Sequence, residues 1–348
     1  MRESPLKVAV LGLNDTGRLM LDATSGLDYF KVTAVADSDA KLAGQVAQEH
    51  NCTPYDDYRQ LIIANQLDCL LVAEPIHSCA EYLKMAIKKK FHILKAPPLA
   101  RNFSEASEFV KLAQNEGVTL AVANAGRFAQ SALAARGFVL QNSYEKPFLI
   151  LAAAGEPACD IPQAKWRSDP VLGGGGVILY DCWEIIDQIV LNFGLPQQVY
   201  CAAGSTTGDR QQRLYLTEDS AIVTMKFDDM LSGNLLAGMA AVASSQAKEP
   251  QKWLIAQGQD ATLKCDDKTF EVADSRGQNL QHNEFKDNGL DRMKNVLENF
   301  GSHLLWPDKN PIVNPAEDNL KNMAFIEAAY LSARTGMPEE PARILKIA

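Results

Sequence analysis

The sequence has no arrangement of cysteine or histidine that is typical of a metal site. It contains seven cysteines and five histidines, with no C-x-x-C pair and no zinc-ligand spacing. An odd number of cysteines without a pattern is expected of reduced thiols, most of which serve as small apolar core residues. We therefore predict no bound metal.

Positive charge and long apolar runs are also scarce. The formal net charge is −9, whereas sequence-independent binding of nucleic acid needs clustered lysine and arginine. No apolar run approaches the length of a membrane span, and no charged segment with an apolar core and a cleavage site precedes the first predicted strand. We expect a cytoplasmic protein with neither nucleic acid nor membrane as a partner.

The first third of the chain alternates short apolar strands with helical stretches. The chain has 348 residues, of which 47% are hydrophobic, and this length predicts about two domains. Strand–helix alternation with apolar strands indicates a parallel sheet covered on both faces, hence a doubly wound Rossmann-type domain over residues 1–123. The predicted strands are Leu6–Leu11, Phe30–Ala36, Asp68–Ala73, Phe91–Lys95 and Val118–Val122, and the predicted helices lie near Thr16–Thr24, Ala40–His50, Ser78–Lys89 and Ser104–Glu116.

After about Asn124 the predicted strands become longer, alternate in polarity and follow one another. This pattern predicts an α+β domain over residues 124–348, with a largely antiparallel sheet and helices to one side. Helices are predicted at about Ile178–Leu191 and Glu317–Thr335, the latter ending at Gly336. The predicted strands are Phe148–Ala153, Gln198–Ala203, Ala221–Phe227, Asn234–Ala243, Lys252–Gln257, Ala261–Cys265 and Thr269–Val272.

A glycine turn, Gly12-Leu13-Asn14-Asp15-Thr16-Gly17, follows the first strand and opens the first helix. In a Rossmann fold such glycines permit the tight turn, the approach of a pyrophosphate and close helix–strand packing. Asn14 stands at the second glycine position, where its side chain takes up space beside the phosphates. Asp37 ends the second strand, where an acidic residue binds a ribose 2′-hydroxyl and repels a 2′-phosphate. NAD is therefore the expected cofactor rather than NADP; the alternatives are a turn without a ligand and, for Asp37, a helix cap or a solvated charge.

The most informative stretch runs from Trp166 to Gly194 and reads W-R-S-D-P-V-L-G-G-G-G-V-I-L-Y-D-C-W-E-I-I-D-Q-I-V-L-N-F-G. It resembles the active-site segment of the Gfo/Idh/MocA oxidoreductases, named after glucose–fructose oxidoreductase, inositol dehydrogenase and rhizopine catabolism. In register, Tyr180 stands where that family has an aspartate, and Glu184 stands where it has its catalytic histidine.

The resemblance spans essentially the whole chain. Val72-Ala73-Glu74-Pro75 is similar to a family V-A-T-P, with Glu74 in place of threonine. His92 to Ala100 is similar to H-V-L-C-E-K-P-L-A, with Pro97 in place of the lysine that holds the substrate hydroxyl. Asn124 to Phe128 resembles the N-x-R-F segment that starts the second domain. The resemblance implies cofactor contacts at Gly12, Asn14, Asp15, Thr16, Gly17, Asp37, Ala73, Glu74, Pro75 and His77, and substrate contacts at Arg127, Trp166 and Arg167.

Three substitutes for the family's catalytic groups are available. Lys95 lies two residues before Pro97, so that an extended strand points both side chains the same way; the alternative is a strand-end lysine that reaches solvent. Tyr180 and Glu184 are four residues apart on the predicted helix, hence on one face, although Tyr180 can instead fill space. Arg167 either binds a ligand or forms a structural salt bridge.

These residues support two main hypotheses. The first is a nicotinamide-dependent oxidoreductase that acts on a sugar-like or polyol substrate with a rewired site of Lys95, Tyr180 and Glu184. The second is a catalytically degenerate protein that binds a dinucleotide or sugar as a sensor or partner subunit. A nicotinamide-dependent glycosidase, which the family also contains, is a third. Because alternating strands leave one sheet face uncovered, and because the resemblance implies sheet-to-sheet pairing, we expect a homodimer or homotetramer.

Overall fold

The computed structural model of the protein describes residues 5–141, 147–155, 166–205, 217–238 and 251–346. They fall into two compact units. The first is drawn from Met1–Ala100, Ser104–Phe128 and Asn288–Asn319, and the second from Arg101–Phe103, Ala129–Asp287 and Leu320–Ala348. The predicted domain boundary at residue 123 stays a prediction.

The first unit contains a six-stranded, entirely parallel sheet in the order β3-β2-β1-β4-β5-β6. This is the strand order of a dinucleotide-binding Rossmann fold, and the predicted fold class is confirmed. Its elements are β1 Leu6–Leu11, α1 Asp15–Thr24, β2 Phe30–Ala36, α2 Ala40–Glu49, β3 Thr53–Tyr55, α3 Tyr58–Ala64, β4 Cys69–Val72, α4 Ile76–Lys88, β5 His92–Lys95, α5 Phe103–Glu116 and β6 Leu120–Val122, followed by a 3₁₀ turn at Ala125–Phe128.

The second unit contains a mixed eight-stranded sheet in the order β14-β13-β12-β11-β7-β10-β9-β8. Only β7 and β10 pair in parallel among these described strands, so the predicted, largely antiparallel sheet is confirmed. The remaining elements of the chain are α6 Gln130–Val139, β7 Leu149–Gly155, α7 Pro170–Gly173, α8 Trp183–Phe193, β8 Gln198–Gly204, β9 Ser220–Lys226, β10 Ser232–Gly238, β11 Gln251–Gln257, β12 Ala261–Asp266, β13 Thr269–Asp274, β14 Asn279–Glu284, α9 Gly289–Leu305, α10 Ala316–Thr335 and α11 Pro341–Leu345.

Helices α3, α6, α7, α9 and α11 and strands β3 and β14 were not predicted, and α8 begins at a different residue. The apolar residues Met293, Val296, Leu297 and Phe300 of α9 join the core of the first unit beside α1. Helix α8 begins at Trp183 instead of Ile178, because a turn precedes it. The end of the predicted strand Asn234–Ala243, from residue 239 onward, lies outside the described residues.

The glycine run before α8 is closely packed. A Cβ atom added at Gly175 would overlap the hydroxyl of Tyr330, and one added at Gly176 would overlap the main-chain carbonyl of Glu218. Gly174 adopts a φ of +81°, which favours glycine. The glycines of this run are therefore needed for close contact with their neighbours.

The carboxylate of Glu218 holds this run in place. It accepts hydrogen bonds from the main-chain N–H groups of Gly176 (3.0 and 3.1 Å) and Ile178 (3.0 Å), and from the hydroxyl of Tyr330 (2.8 Å). Burial raises the pKa of the Glu218 carboxyl above its ordinary value, and the donated hydrogen bonds act in the opposite direction. The segment that leads into α8 is thus held by Glu218 together with Tyr330, whose hydroxyl also accepts from the N–H of Gly176.

We expect Gly175→Ala to destabilise the second unit by about 1–3 kcal/mol, the usual cost of overpacking a dense core, because the added methyl group would displace the buried Tyr330 hydroxyl. Gly137→Ala is the matched control: it adds the same group in helix α6, where no neighbouring atom lies within 4 Å. Alanine is the better helix former, so this variant should be unchanged or more stable. Thermal denaturation of both variants checks the expectation, and equal midpoints would contradict it.

Candidate functional site

The turn between β1 and α1 has the backbone geometry of a dinucleotide-binding loop. Gly12 adopts a φ of +83°, and a Cβ atom at Gly17 would overlap the carbonyl of Gly12. The N–H groups of Asp15 and Thr16 lie in the first turn of α1, where no intrahelical acceptor exists. These groups and the helix dipole favour an anion.

Asn14 caps this helix and does not need the left-handed conformation. Its φ is −62°, and its side-chain oxygen accepts a hydrogen bond from the N–H of Gly17 at 3.0 Å. Its amide nitrogen donates to the carbonyl of Ala73 at 2.9 Å. The side chain is therefore tied to the loop itself, and its place beside the phosphates stays a prediction.

Asp37 is also tied to the turn. Its carboxylate accepts from the N–H of Leu13 at 2.8 Å and from the N–H of Asp39 at 2.9 Å. Asp39, not Asp37, caps α2 by accepting from Lys41 and Leu42, so the helix-cap alternative for Asp37 is wrong. Each carboxylate oxygen retains a second lone pair with which it can accept a hydroxyl.

The segment after β4 lies against the same turn. The N–H groups of Ala73 and Glu74 both donate to the carbonyl of Leu11, at 2.8 and 3.1 Å. Pro75 stands at the N-cap position of α4, and His77 lies in the first turn of that helix. The structure thus brings Ala73 and Glu74 to the Gly12 turn, as the resemblance implies.

Lys95 is buried at the end of β5. Its side chain is 2% exposed, and its ammonium group donates to the carbonyl of Ala96 at 2.7 Å. The alternative of a lysine that reaches solvent is therefore wrong. Burial lowers the pKa of Lys95, while the charges of Cys79 and Glu74 act to raise it. A lysine in this setting is more easily deprotonated than a solvated one.

Arg127 has a structural role in the first unit. Its guanidinium is almost fully buried, donates to the carbonyl of Val313 at 2.6 Å and lies 3.6 Å from the carboxylate of Asp318. These contacts join the 3₁₀ turn to the start of α10. Contact between Arg127 and a substrate stays a prediction.

Trp166, Arg167 and Tyr180 form a cluster in the second unit. Arg167 pairs with the buried carboxylate of Asp181, and its guanidinium lies 4.6 Å from the centre of the Tyr180 ring. Trp166 meets the same ring edge-on at 5.5 Å. The Tyr180 hydroxyl donates to the carbonyl of Gly173 at 2.7 Å. The salt-bridge interpretation of Arg167 is confirmed.

Glu184 lies within helix α8, whereas Tyr180 precedes this helix. Because α8 begins at Trp183, Tyr180 lies in the preceding turn, and the expectation that both residues share one helix face is wrong. Glu184 instead forms an ion pair with Lys252 on β11, with 2.6 Å between the Lys252 nitrogen and a Glu184 carboxylate oxygen.

Sequence reasoning missed Lys252 and Asp181. Lys252 occupies the same set of alternate positions along β11 as the buried Leu254 and Ala256. Since alternate residues of a strand share a face, this spacing was a usable signal for an inward-facing lysine. No comparable pattern marks Asp181. Among the described residues, no cluster of histidine, cysteine, aspartate or glutamate has metal-binding geometry, and no helix combines the length and hydrophobicity that a membrane span requires.

Comparison with known proteins identifies both parts of the chain. A model of the oxidoreductase family with a NAD-binding Rossmann fold matches residues 6–124, and a model of the family's C-terminal alpha/beta domain matches residues 156–340. Scyllo-inositol 2-dehydrogenase (NADP(+)) of Bacillus subtilis (strain 168) is 26% identical over 116 residues, which cover 33% of this chain and 35% of that protein. D-xylose 1-dehydrogenase (NADP(+)) 2 of Haloferax volcanii is 27% identical over 184 residues, which cover 51% of this chain and 54% of that protein.

The chain therefore aligns with about a third to a half of the length of these curated relatives. Similarity of fold extends further. The crystal structure of an inositol dehydrogenase homolog from Azotobacter vinelandii, complexed with NAD+, superposes with a TM-score of 0.86 at 16% identity, covering 97% of this chain and 98% of that one. Because family models match both domains, the chain belongs to the Gfo/Idh/MocA oxidoreductase family, whose N-terminal domain is a NAD-binding Rossmann fold.

Proposed function

We propose that the protein is a NAD-dependent oxidoreductase of a sugar-like or polyol substrate, with proton-handling groups that differ from those of its family. The observation that carries this proposal is the turn between β1 and α1. In this turn Gly12 has a positive φ, Gly17 packs against the carbonyl of Gly12, and the first N–H groups of α1 have no acceptor within the helix. The carboxylate of Asp37 lies on the same turn. The names of the inositol and xylose dehydrogenases among the relatives support the substrate class.

The residues of the chain divide the chemistry as follows. When bound, a nicotinamide dinucleotide would supply the hydride acceptor. The N–H groups of Asp15 and Thr16 would hold its diphosphate, and Asp37 would accept a ribose hydroxyl. Lys95, with its lowered pKa, is the first candidate for proton handling. Its ammonium form would stabilise the developing alkoxide of the substrate, and its neutral amine would receive the hydroxyl proton.

Glu184 is the second candidate for proton transfer. Its carboxylate is held in place by the ion pair with the neighbouring Lys252 ammonium. Tyr180 is the weakest of the three candidates, because its hydroxyl already donates to the main chain; we assign it to substrate positioning beside Trp166 and Arg167. The alternative function, a dinucleotide- or sugar-binding protein without turnover, is supported by Pro97, which has no ionisable group where the family has lysine.

We expect NAD+ to bind at least about tenfold more tightly than NADP+, a difference of about 1.4 kcal/mol, because Asp37 repels a 2′-phosphate. The substitution Asp37→Asn should reduce this preference, since the charge is removed, and titration calorimetry with both cofactors measures the change. Asp39→Asn is the matched control: it removes a nearby charge while asparagine still caps α2, and its preference should remain. Equal or tighter binding of NADP+ to the unaltered protein would contradict the assignment, which is a sharp test because the two named relatives use NADP(+).

Activity should depend on Lys95 and Glu184. We expect NADH formation over a panel of polyols and sugars to fall about 10²-fold or more in Lys95→Met and in Glu184→Gln, with NAD+ affinity retained, since proton transfer contributes roughly 10²–10⁴-fold. Lys84→Met, which alters a partly exposed lysine paired with Glu108, serves as control. Turnover unaffected by either substitution would contradict the assigned roles. Absence of turnover with NAD+ still bound would instead favour the binding protein.

The second unit should also mediate self-association. On the outer face of its sheet, Ile222 is 52% exposed and Tyr200 is 45% exposed, and both alternate with buried neighbours along β9 and β8. Leu236 pairs directly with Ile222 on the same face. Such an apolar face is normally buried against a partner, and we propose a second copy of the chain, in a dimer or tetramer of a cytoplasmic protein.

Sedimentation at micromolar concentration should show a dimer or tetramer, and Ile222→Glu should shift it towards monomer because it places a charge in the apolar contact. Met230→Glu is the control, since Met230 is 77% exposed in the turn between β9 and β10. A monomer in the unaltered protein, or equal dissociation of both variants, would rule out this face as the contact.

A further inference from the structure

Glu74 occupies a constrained position over the end of β1. Its N–H donates to the carbonyl of Leu11, as does that of Ala73. Its side chain is constrained as well, because one carboxylate oxygen accepts a hydrogen bond from the Ser78 hydroxyl at 2.8 Å. Both ends of the residue are therefore fixed by contacts within the first unit.

The other carboxylate oxygen lies against the glycine turn. A Cβ atom at Gly12 would lie 2.8 Å from this oxygen, and 2.7 Å from the main-chain nitrogen of Glu74. In a Rossmann fold this turn is where the backbone comes closest to a pyrophosphate. A negative charge thus stands beside the place that a dianionic diphosphate would occupy.

A second carboxylate lies on the same turn. Asp37 accepts the N–H of Leu13, the residue after Gly12. Burial raises the pKa of the Tyr58 phenol, and the charges of Glu74 and then Asp37 raise it further, so both carboxylates act on one buried group. Lys95 carries the opposite charge and interacts with Glu74, while burial lowers the pKa of Lys95.

We propose that Glu74 determines ligand selectivity at this loop by weakening the binding of diphosphate-containing dinucleotides through direct charge repulsion. The Ser78 hydrogen bond orients the carboxylate but leaves its charge in place. Like charges a few ångströms apart near a protein surface interact strongly enough to change affinity by an order of magnitude or more. The inference rests on the proposed function for the class of cofactor, and it adds a residue that acts against tight binding.

The test is titration calorimetry of Glu74→Gln with three probes at low ionic strength. NAD+ and ADP-ribose contain the diphosphate, and adenosine lacks it. We expect the variant to bind NAD+ and ADP-ribose about tenfold or more tightly than the unaltered protein, with adenosine affinity unchanged. The gain should shrink in 1 M salt, where the Debye length falls to about 3 Å. Glu81→Gln removes an exposed charge from helix α4, which carries Ser78, and this variant should match the unaltered protein.

Each other outcome overturns the proposal in a distinguishable way. Equal affinity of both proteins for NAD+ would remove Glu74 from selectivity while leaving the cofactor in place. Tighter binding of NAD+ with unchanged affinity for ADP-ribose would locate the effect at the nicotinamide. Tighter binding of adenosine would indicate that the substitution changes the structure of the loop and not only its charge. No binding of NAD+ or ADP-ribose to either protein would overturn the proposed function as well.

Discussion

The contact between Gly17 and the carbonyl of Gly12 sets the direction in which the first helix leaves the parallel sheet. No side chain fits at Gly17, so α1 approaches β1 closely and its N-terminus is aimed along the strand ends. The amide of Asn14, the carboxylate of Asp37 and the carbonyl of Leu11 are then used to hold the turn and its neighbours. The arrangement of the cofactor loop follows from one backbone contact, which a single methyl group would break.

Two carboxylates of the second unit accept hydrogen bonds from residues far along the chain. Glu218 accepts from two main-chain N–H groups and one phenol, and the fully buried Asp187 accepts from the side-chain amide of Asn322 at 2.7 Å. A buried carboxylate is costly unless it is bonded in this way. This contact with α10 gives Asp187 a structural role.

The regular features of the sequence predicted the regular features of the fold. Period-two and period-3.6 patterns located most of the strands and helices, and the glycine spacing located the nucleotide loop, because these patterns reflect backbone geometry that acts over a few residues. Contacts between distant segments were less accessible. The pairing of Glu184 with Lys252 joins residues 68 positions apart. The turn before α8 depends on Glu218 and Tyr330, which lie far along the chain from it. Helix α9 was overlooked although Asn288 and Asp291 form a capping box at its start, a signal that is visible in the sequence.

The position of α9 also has a consequence for the order of folding during synthesis. Phe300, Leu297 and Met293 complete the core around α1, yet they follow the 3₁₀ turn at Ala125–Phe128 by the whole length of the second sheet. At about 5 to 20 residues per second, the ribosome takes roughly 8 to 32 seconds to add residues 128–288. During that time the nascent Rossmann sheet exposes the apolar surface that α9 later covers. The core of the N-terminal unit therefore cannot be completed until α9 has been synthesised.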